Sequence, residues 1–336
     1  MIAVKILPVG MANCFRIRTR VSSACWTQTR IRGRLMLFNE PIDSWSEWGA
    51  IFQSIEAFTP LAKEIFHREG LALPGLENLT PGTNAVFRAG DYVVKIFAPR
   101  ESGMEPQMDY SNESAVCGAL TRWGISTPRL IAHGMIQDTY LFYYLITEYC
   151  PGKEAGTWLE SAGPGQLEGF IRQLKGLLQT LHRPAEGLIP PVDLLVRALD
   201  NPRLERLPVS LRDEMAERAA RLDLTDTLLV HGDLTGENIL IGANNRPIII
   251  DCADSCMAPW WYELAPLVFE LFHCRRDLLR LFADTNPEVF VEQIMDAVCI
   301  HDFGANMLWD LAEREKVPYF SHLTELRDFL LSRVCG

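Results

Sequence analysis

The stretch Val230-His231-Gly232-Asp233-Leu234-Thr235-Gly236-Glu237-Asn238-Ile239-Leu240 decides how this chain folds. Apolar residues open and close it, so it reads as a loop between two short buried strands. Within the loop, Asp233 can accept the proton of an attacking hydroxyl, while the Asn238 amide oxygen can reach a metal bound to phosphates. Downstream, Ile248-Ile249-Ile250-Asp251 puts a second carboxylate at the exit of a buried strand, where a magnesium ion needs a hard oxygen ligand. Taken singly, a His-Gly-Asp turn is only a tight loop, and Asp251 only a cap for the next element. In this order and at this spacing they point to phosphoryl transfer.

Upstream, Tyr92-Val93-Val94-Lys95-Ile96-Phe97 sets one lysine in the middle of an apolar strand. An unpaired charge there is costly, so the lysine needs an anion. Glu113 shares a helix face with Val116 and Leu120, the face expected to pack onto the sheet, which brings it to Lys95. Such a pair can hold the α- and β-phosphates of a nucleotide. The bland alternative is a solvent-facing lysine and a glutamate favoured by the helix dipole. Glu101 and Glu105 are rival partners, in a loop without a packed face.

His231-Gly232-Asp233 with Asn238, followed by the apolar strand ending in Asp251, resembles the catalytic and metal-binding segments of aminoglycoside phosphotransferases and choline kinase-like enzymes. The resemblance spans about residues 75–275 and is strongest over Leu228–Asp251. It implies an α+β, two-lobed protein-kinase-like fold, with a small antiparallel-sheet N-lobe and a larger helical C-lobe. It further implies Asp233 as catalytic base, Asn238 and Asp251 as magnesium ligands, and ATP or GTP as phosphoryl donor. Gly82 and Thr83, in Pro81-Gly82-Thr83-Asn84, stand where the family has its phosphate-covering loop. Ile146-Thr147-Glu148-Tyr149-Cys150 stands where it has the hinge, so Glu148 and Cys150 are expected to meet the nucleobase through their backbone. Leu181-His182-Arg183-Pro184 and Trp261-Tyr262-Glu263-Leu264-Ala265 resemble lobe-building segments, which gives His182 a structural role. The chain departs from the family after Asp251. Cys252-Ala253-Asp254 replaces Phe-Gly, and Ala258-Pro259-Trp260 replaces a later Gly-Asp-Pro; Asp254 either helps the metal or caps a turn.

Local patterns are consistent with that architecture. Ser44-Trp45-Ser46-Glu47 is a capping box, leading a helix with Trp48, Ile51, Phe52 and Ile55 at helical spacing. Thr59-Pro60 is expected to restart a helix that Gly70 ends. Residues 84–88 and 92–97 read as strands joined by Ala89-Gly90-Asp91, followed by a helix over 109–123 and strands over 130–133 and 140–148. Cys150-Pro151-Gly152 marks a hinge. Helices are expected over 166–181, 210–222, 262–272, 277–283 and 287–297, interrupted by one β-rich island over 228–250. The division is a basic extension (1–36), a nucleotide-binding lobe (37–150) and a helical catalytic and substrate lobe (151–336).

Composition narrows the partners. Residues 1–36 hold seven bases and no acid, which leaves the rest of the chain with 25 bases against 43 acids, a net charge of −18. A body that acidic repels nucleic acid and anionic membranes and attracts cations. The nine cysteines are scattered, with no zinc-ligand spacing, as in a reduced cytoplasmic protein. The apolar runs are too short to span a bilayer. The Arg-rich head reads either as a transit peptide or as an upstream extension with Met36 as an alternative start; the second is favoured because no helical period is sustained. The acceptor surface is expected from 152–183 and 263–310, with Glu154, Glu160, Glu263, Glu270 and Asp277 drawing a cationic, hydroxylated small molecule. Kinases of choline, homoserine, fructosamine, methylthioribose and antibiotics share the fold, so the fold does not choose the acceptor. Two alternatives stand beside this reading. One is a binding or regulatory module that kept the fold; the other is a protein kinase, against which the missing Ala-Pro-Glu after Asp251 argues.

Overall fold

The structure, a computed structural model, describes residues 36–335. The expectations for the basic head therefore lie outside the described residues. Five strands form an antiparallel sheet: β1 (Glu77–Asn78), β2 (Ala85–Ala89), β3 (Tyr92–Ile96), β4 (Leu130–Gln137) and β5 (Leu141–Glu148), in the order β1-β2-β3-β5-β4. Period-two alternation divides the sheet's faces. Phe87, Val94, Ile96, Phe142, Tyr144 and Ile146 point to one face, where Phe58, Leu61, Ile65 and Phe66 of a helix cover them. Lys95 and Tyr143 point to the other.

The covering helices correct the expected boundaries. α1 (Trp45–Ile51) starts at Ser44, whose hydroxyl accepts from the Glu47 amide, while the Glu47 carboxylate accepts from Asp43 N–H. Ile55 does not belong to α1. It opens α2 (Ile55–Arg68), which Ser54 caps. Thr59-Pro60 does not restart a helix: Pro60 lies inside α2. Its ring removes one amide, whose acceptor would have been the carbonyl of the exposed Glu56, and packing of Phe58, Leu61 and Ile65 outweighs that loss. On the opposite face, α3 (Pro106–Arg122) starts three residues before the expected 109, with Pro106 in its first turn. β4 likewise runs on to Gln137, because pairing with β5 carries it past the apolar residues.

Beyond the sheet the chain is mainly helical. α4 (Ala155–Leu159), α5 (Pro164–Leu181), α6 (Leu194–Leu199) and α7 (Val209–Ala219) precede the β-rich island. The island holds β7 (Leu228–Val230), β8 (Ile239–Ile241) and β9 (Pro247–Ile249); β8 also pairs with β6 (Lys153–Glu154). A strand not foreseen, β10 (Cys256–Ala258), pairs with β7. The helix expected over 262–272 is instead a composite: a tight turn over Trp260–Glu263, the short α8 (Leu264–Pro266) and a wide turn over Leu267–Leu271. α9 (Arg276–Phe282), α10 (Pro287–Ile300), α11 (Gly304–Glu315) and α12 (Leu323–Val334) complete the lobe. A second core joins α5 to α10 through Phe170, Leu174, Phe269, Phe272, Ile294 and Val298. Among the described residues no helix is long and apolar enough to cross a membrane.

The aromatic seat of α2 makes the sheet's stability testable. Phe58 is fully buried, with ring centroids 5.0 Å from Phe38, 5.8 Å from Trp48 and 5.6 Å from Phe87. Phe58→Ala is expected to cost about 3–5 kcal/mol in a denaturant titration. A cost below about 1 kcal/mol would show that the helix is not seated there.

Candidate active site

Lys95 faces α3 because its neighbours Val94 and Ile96 face α2. Its ammonium lies 2.7 Å from Glu113 Oε2 and 2.7 Å from Asp251 Oδ1. The lysine and Glu113 are buried, whereas the Asp251 side chain is 42% exposed. Burial works against the Lys95 charge, but Asp251 and then Glu113 outweigh it and raise its pKa. Burial lifts Glu113 to about 7 against the pull of Lys95, with Asp251 adding repulsion. Asp251 goes the other way: the low-dielectric surroundings oppose its charge, but Lys95 holds it below the ordinary value. Glu101 and Glu105 are not the partners of Lys95; Glu105 meets Arg100 instead.

The loop between β7 and β8 brings Asp233 to Asn238. The Asn238 amide N–H₂ donates to Asp233 Oδ2 at 2.7 Å and to the Asp233 carbonyl at 2.9 Å. Its Oδ1 is thereby turned away from Asp233. The strand exit is tied to the same loop: Ile250 N–H donates to Asn238 O at 3.0 Å, and His231 Nε2 lies 3.0 Å from Ile250 O. Because His231 Nδ1 accepts from Asp233 N–H, the proton sits on Nε2 and is given to Ile250. Asp251 itself has φ 59°, a left-handed conformation that costs of order 1 kcal/mol or more and that short polar residues tolerate best.

Gly232 is held on both sides. Its φ is +81°, and a Cβ there would lie 2.4 Å from the Asp254 carbonyl oxygen, so no other residue fits this backbone without a shift. Glu263, 1% exposed, accepts from His231 N–H at 2.7 Å and from Gly232 N–H at 3.0 Å. Burial opposes its ionisation, but His182 and His231 outweigh burial and keep the carboxyl below its ordinary pKa. His182 Nε2 stands 3.7 Å away, an electrostatic contact rather than a hydrogen bond. From the other side, His301 Nε2 lies 3.0 Å from Gly232 O. The sequence reading missed His301, because a lone histidine at a helix end carries no motif.

The remaining candidates take separate positions. Gly82 and Thr83 are exposed, and their loop is fastened by Trp48 Nε1–H to Thr83 O at 2.8 Å and by Ala98 N–H to Asn84 Oδ1 at 3.0 Å. At the other end of β3, the Glu148 amide donates to Arg129 O and the Tyr149 amide to Asp91 O. The hinge can therefore offer the Cys150 amide and backbone carbonyls. The Cys150 thiol lies 3.7 Å from Glu148 Oε1, and burial together with that carboxylate lifts it to about 11, so it stays protonated. Cys252, in the place of the family's Phe, is fully buried, and its neighbour Cys117 of α3 together with burial raises its thiol well above the ordinary value.

Of the expected acceptor-side acids, Glu263 is corrected: it is buried under the loop and binds backbone, so it cannot face an acceptor. Asp277 pairs with Arg275 at 2.6 Å, and Glu154 accepts from Thr80 at 2.5 Å. Other acids surround Asp251 instead. Asp254 lies 3.5 Å from Arg197, and Asp302 lies 3.2 Å from the same guanidinium. Burial lifts Asp254 to about 6 against the pull of Arg197, with Asp251 and Asp109 as repelling neighbours.

The arrangement has known counterparts. A sequence model of the phosphotransferase enzyme family matches residues 82–299, well over half of the chain. The chain belongs to this family. It is a phosphotransferase of the small-molecule kinase type. The fold is similar to the GDP and kanamycin complex of APH(2")-IIia, at 18% identity and TM-score 0.57, covering 81% of this chain and 98% of that one. It is also similar to choline kinase LicA from Streptococcus pneumoniae, at 17% identity and TM-score 0.52, covering 81% and 99%. A third is a thermostable aminoglycoside phosphotransferase APH(4)-Ia mutant with ADP and hygromycin B, at 14% identity and TM-score 0.53, covering 82% and 98%. At these identities the likeness establishes the two-lobed kinase-like fold.

In this phosphotransferase the Glu263 clamp is open to test. Glu263→Gln puts an amide N–H₂ against a backbone N–H and is expected to cost about 1–3 kcal/mol. The denaturation midpoint reads this; an unchanged midpoint would mean that the loop does not rely on the carboxylate.

Proposed function

We propose that this phosphotransferase moves the γ-phosphoryl group of ATP or GTP onto a hydroxyl of a small cationic molecule, with Asp233 as the base. The observation that carries the proposal is the buried Lys95 held at 2.7 Å from both Glu113 and Asp251. A fold kept only for binding has no need of a buried ammonium between two carboxylates, which costs desolvation on every member. In the proposal, Lys95 meets the α- and β-phosphates while Glu113 holds it in place. Gly82 and Thr83 cover the phosphates, and the backbone of Glu148 and Cys150 receives the base. Lys95 lies three positions along the strand from Tyr92, the partner of Glu148, so at about 3.3 Å per residue the hinge lies ~10 Å from the lysine. That is about the reach of a nucleoside.

The donor set fits a magnesium ion. Asn238 meets Asp233 through its N–H₂, which turns its Oδ1 the other way, and Asp251 meets Lys95 through Oδ1, with Oδ2 as its second oxygen; both are hard oxygens. Among the described residues no group of three or more His, Cys, Asp or Glu is arranged to hold a metal. A magnesium ion that arrives on phosphates needs only one or two protein ligands. When bound, the ion neutralises phosphate charge. Asp233 then accepts the hydroxyl proton at a carboxylate oxygen, its position kept by the Asn238 amide.

Asp233→Asn is expected to keep nucleotide affinity near wild type while kcat falls about a hundredfold or more. Turnover within a factor of about three would remove Asp233 from the role. For the metal, Asp251→Ala is expected to abolish turnover and weaken Mg-nucleotide binding, whereas Asp254→Ala, whose carboxylate is engaged by Arg197, does far less. Equal losses from the two would show that the ligands are misassigned.

The cationic acceptor rests on the net charge of −18 outside the head and on Asp109, Asp254 and Asp302 gathered around Asp251 and Arg197. An amine-bearing alcohol such as an aminoglycoside suits that field. Its KM is expected to rise with ionic strength, measured against cationic and neutral alcohols in parallel. Preference for a neutral or anionic acceptor, or a salt-independent KM, would remove the cationic class and leave phosphoryl transfer standing.

A further inference from the structure

We propose that His301 is a positioning residue for phosphoryl transfer, holding the Gly232 carbonyl so that the neighbouring Asp233 keeps its place. The inference rests on Asp233 as the base. His301 is the residue after α10 and lies beyond residue 299, where the family match ends. It is 3% exposed and makes two contacts with backbone: Nδ1 with Phe303 N at 3.1 Å and Nε2 with Gly232 O at 3.0 Å. A backbone N–H can only donate, so Nδ1 is the bare acceptor. The ring proton is then on Nε2, facing a carbonyl that can only accept. Two main-chain groups thus select one tautomer, and a neutral ring satisfies both. Burial lowers the imidazole to about 4, with Asp302 opposing and Arg197 assisting, so the ring keeps this form at neutral pH.

The anchor is itself fixed. The Tyr262 ring stacks on His301 at 4.5 Å between centroids, and Tyr262 directly precedes Glu263, which holds the Gly232 N–H. Asp302 receives Asn201 Nδ2–H at 2.7 Å, with Arg197 at 3.2 Å and Arg203 at 3.3 Å. Gly232 therefore has its donor held from the Tyr262–Glu263 turn and its acceptor held from the end of α10. Glycine has the widest backbone freedom of any residue, and a peptide free to rotate at Gly232 would swing Asp233 with it. Small displacements of a reacting group cost rate far more than they cost binding.

The test separates the two ring nitrogens. His301→Asn carries its amide near the Nδ1 position, keeping an acceptor for Phe303 N–H but falling short of Gly232. His301→Gln carries an N–H₂ near the Nε2 position and keeps the bond to Gly232. Phosphoryl transfer from MgATP and MgGTP to water is followed as formation of ADP or GDP with release of inorganic phosphate, and nucleotide affinity is followed by calorimetry. His301→Asn is expected to lower kcat at least about tenfold with nucleotide Kd changed less than about twofold, and His301→Gln to stay within about threefold of wild type. The proposal is overturned if Gln is as slow as Asn, if Asn turns over like wild type, or if kcat and affinity fall together. Asp233→Asn runs alongside. If it is inactive while His301→Asn is unimpaired, only the positioning role falls; if it is itself unimpaired, the base assignment falls and the positioning role with it. Should the variants not fold, ¹⁵N-histidine spectra of the wild-type protein decide. His231 carries the same tautomer, so its signal is first assigned by its loss in His231→Gln; a second neutral ring with an exchange-protected Nε2–H, absent when the loop is unfolded by denaturant, supports the clamp, and the lack of that second ring overturns it.

Discussion

The structure depends on one ammonium group placed between two carboxylates. Lys95 comes from the sheet, Glu113 from the helix that crosses it, and Asp251 from the exit of a strand in the helical lobe. Neither Lys95 nor Glu113 is stable alone in its position: a buried charge without a partner costs several kcal/mol, and Asp251 adds a third hold, so the sheet, α3 and the β9 exit stay docked together. Two negative charges share one positive charge, which leaves the cluster short of cation. Burial lifts Glu113 to about 7, with Asp251 adding repulsion, while Lys95 holds Asp251 below its ordinary value. In the proposed reading, this is the place that a further cation and its phosphates would take.

The loop carrying Asp233 is held by a different means. Here the groups that matter are backbone amides and carbonyls, clamped by side chains from distant elements. Gly232 avoids a clash with the Asp254 carbonyl, and Gly236 avoids another: a Cβ on Gly236 would lie 2.8 Å from the Cα of Gly156. That close approach lets the Gly156 N–H of α4 donate to Gly236 O at 3.0 Å. Where protein kinases have an arginine between the loop's His and Asp, this chain has the one residue that its φ of +81° and the Asp254 contact allow.

The departures after Asp251 have a packing explanation. Cys252 is fully buried against Cys117, four residues after Glu113 on the same helix, so the thiol pair lies along the face that carries the Lys95 partner. Asn112 adds Nδ2–H bonds to the Ala253 carbonyl at 3.3 Å and the Ser255 carbonyl at 3.5 Å. Asp254 turns to Arg197, at 3.5 Å. The segment keeps its attachment to α3 with smaller side chains than the family commonly uses.

The sequence by itself determined the family, the interstrand loop that holds Asp233 and Asn238, and the Lys95–Glu113 pairing. Each leaves a local mark: an acid and an amide at set spacing, or a lysine in a strand whose alternation and cost demand an anion. Local marks also located most helices and strands, because apolar periodicity is dictated by the core they bury. They failed where tertiary contacts overrode them. Pro60 stays inside α2 because the aromatic core outweighs one lost hydrogen bond, and β10 exists only because β7 is there to pair with it. The tertiary structure alone decided which acids face the site. Glu263, taken from sequence as a surface carboxylate, is spent on two amides of the loop, while Asp254 and Asp302 converge on Arg197 from separate parts of the chain. His301 was invisible for the same reason. Its partner is a backbone carbonyl 69 positions away, and a carbonyl looks the same in every residue of the sequence.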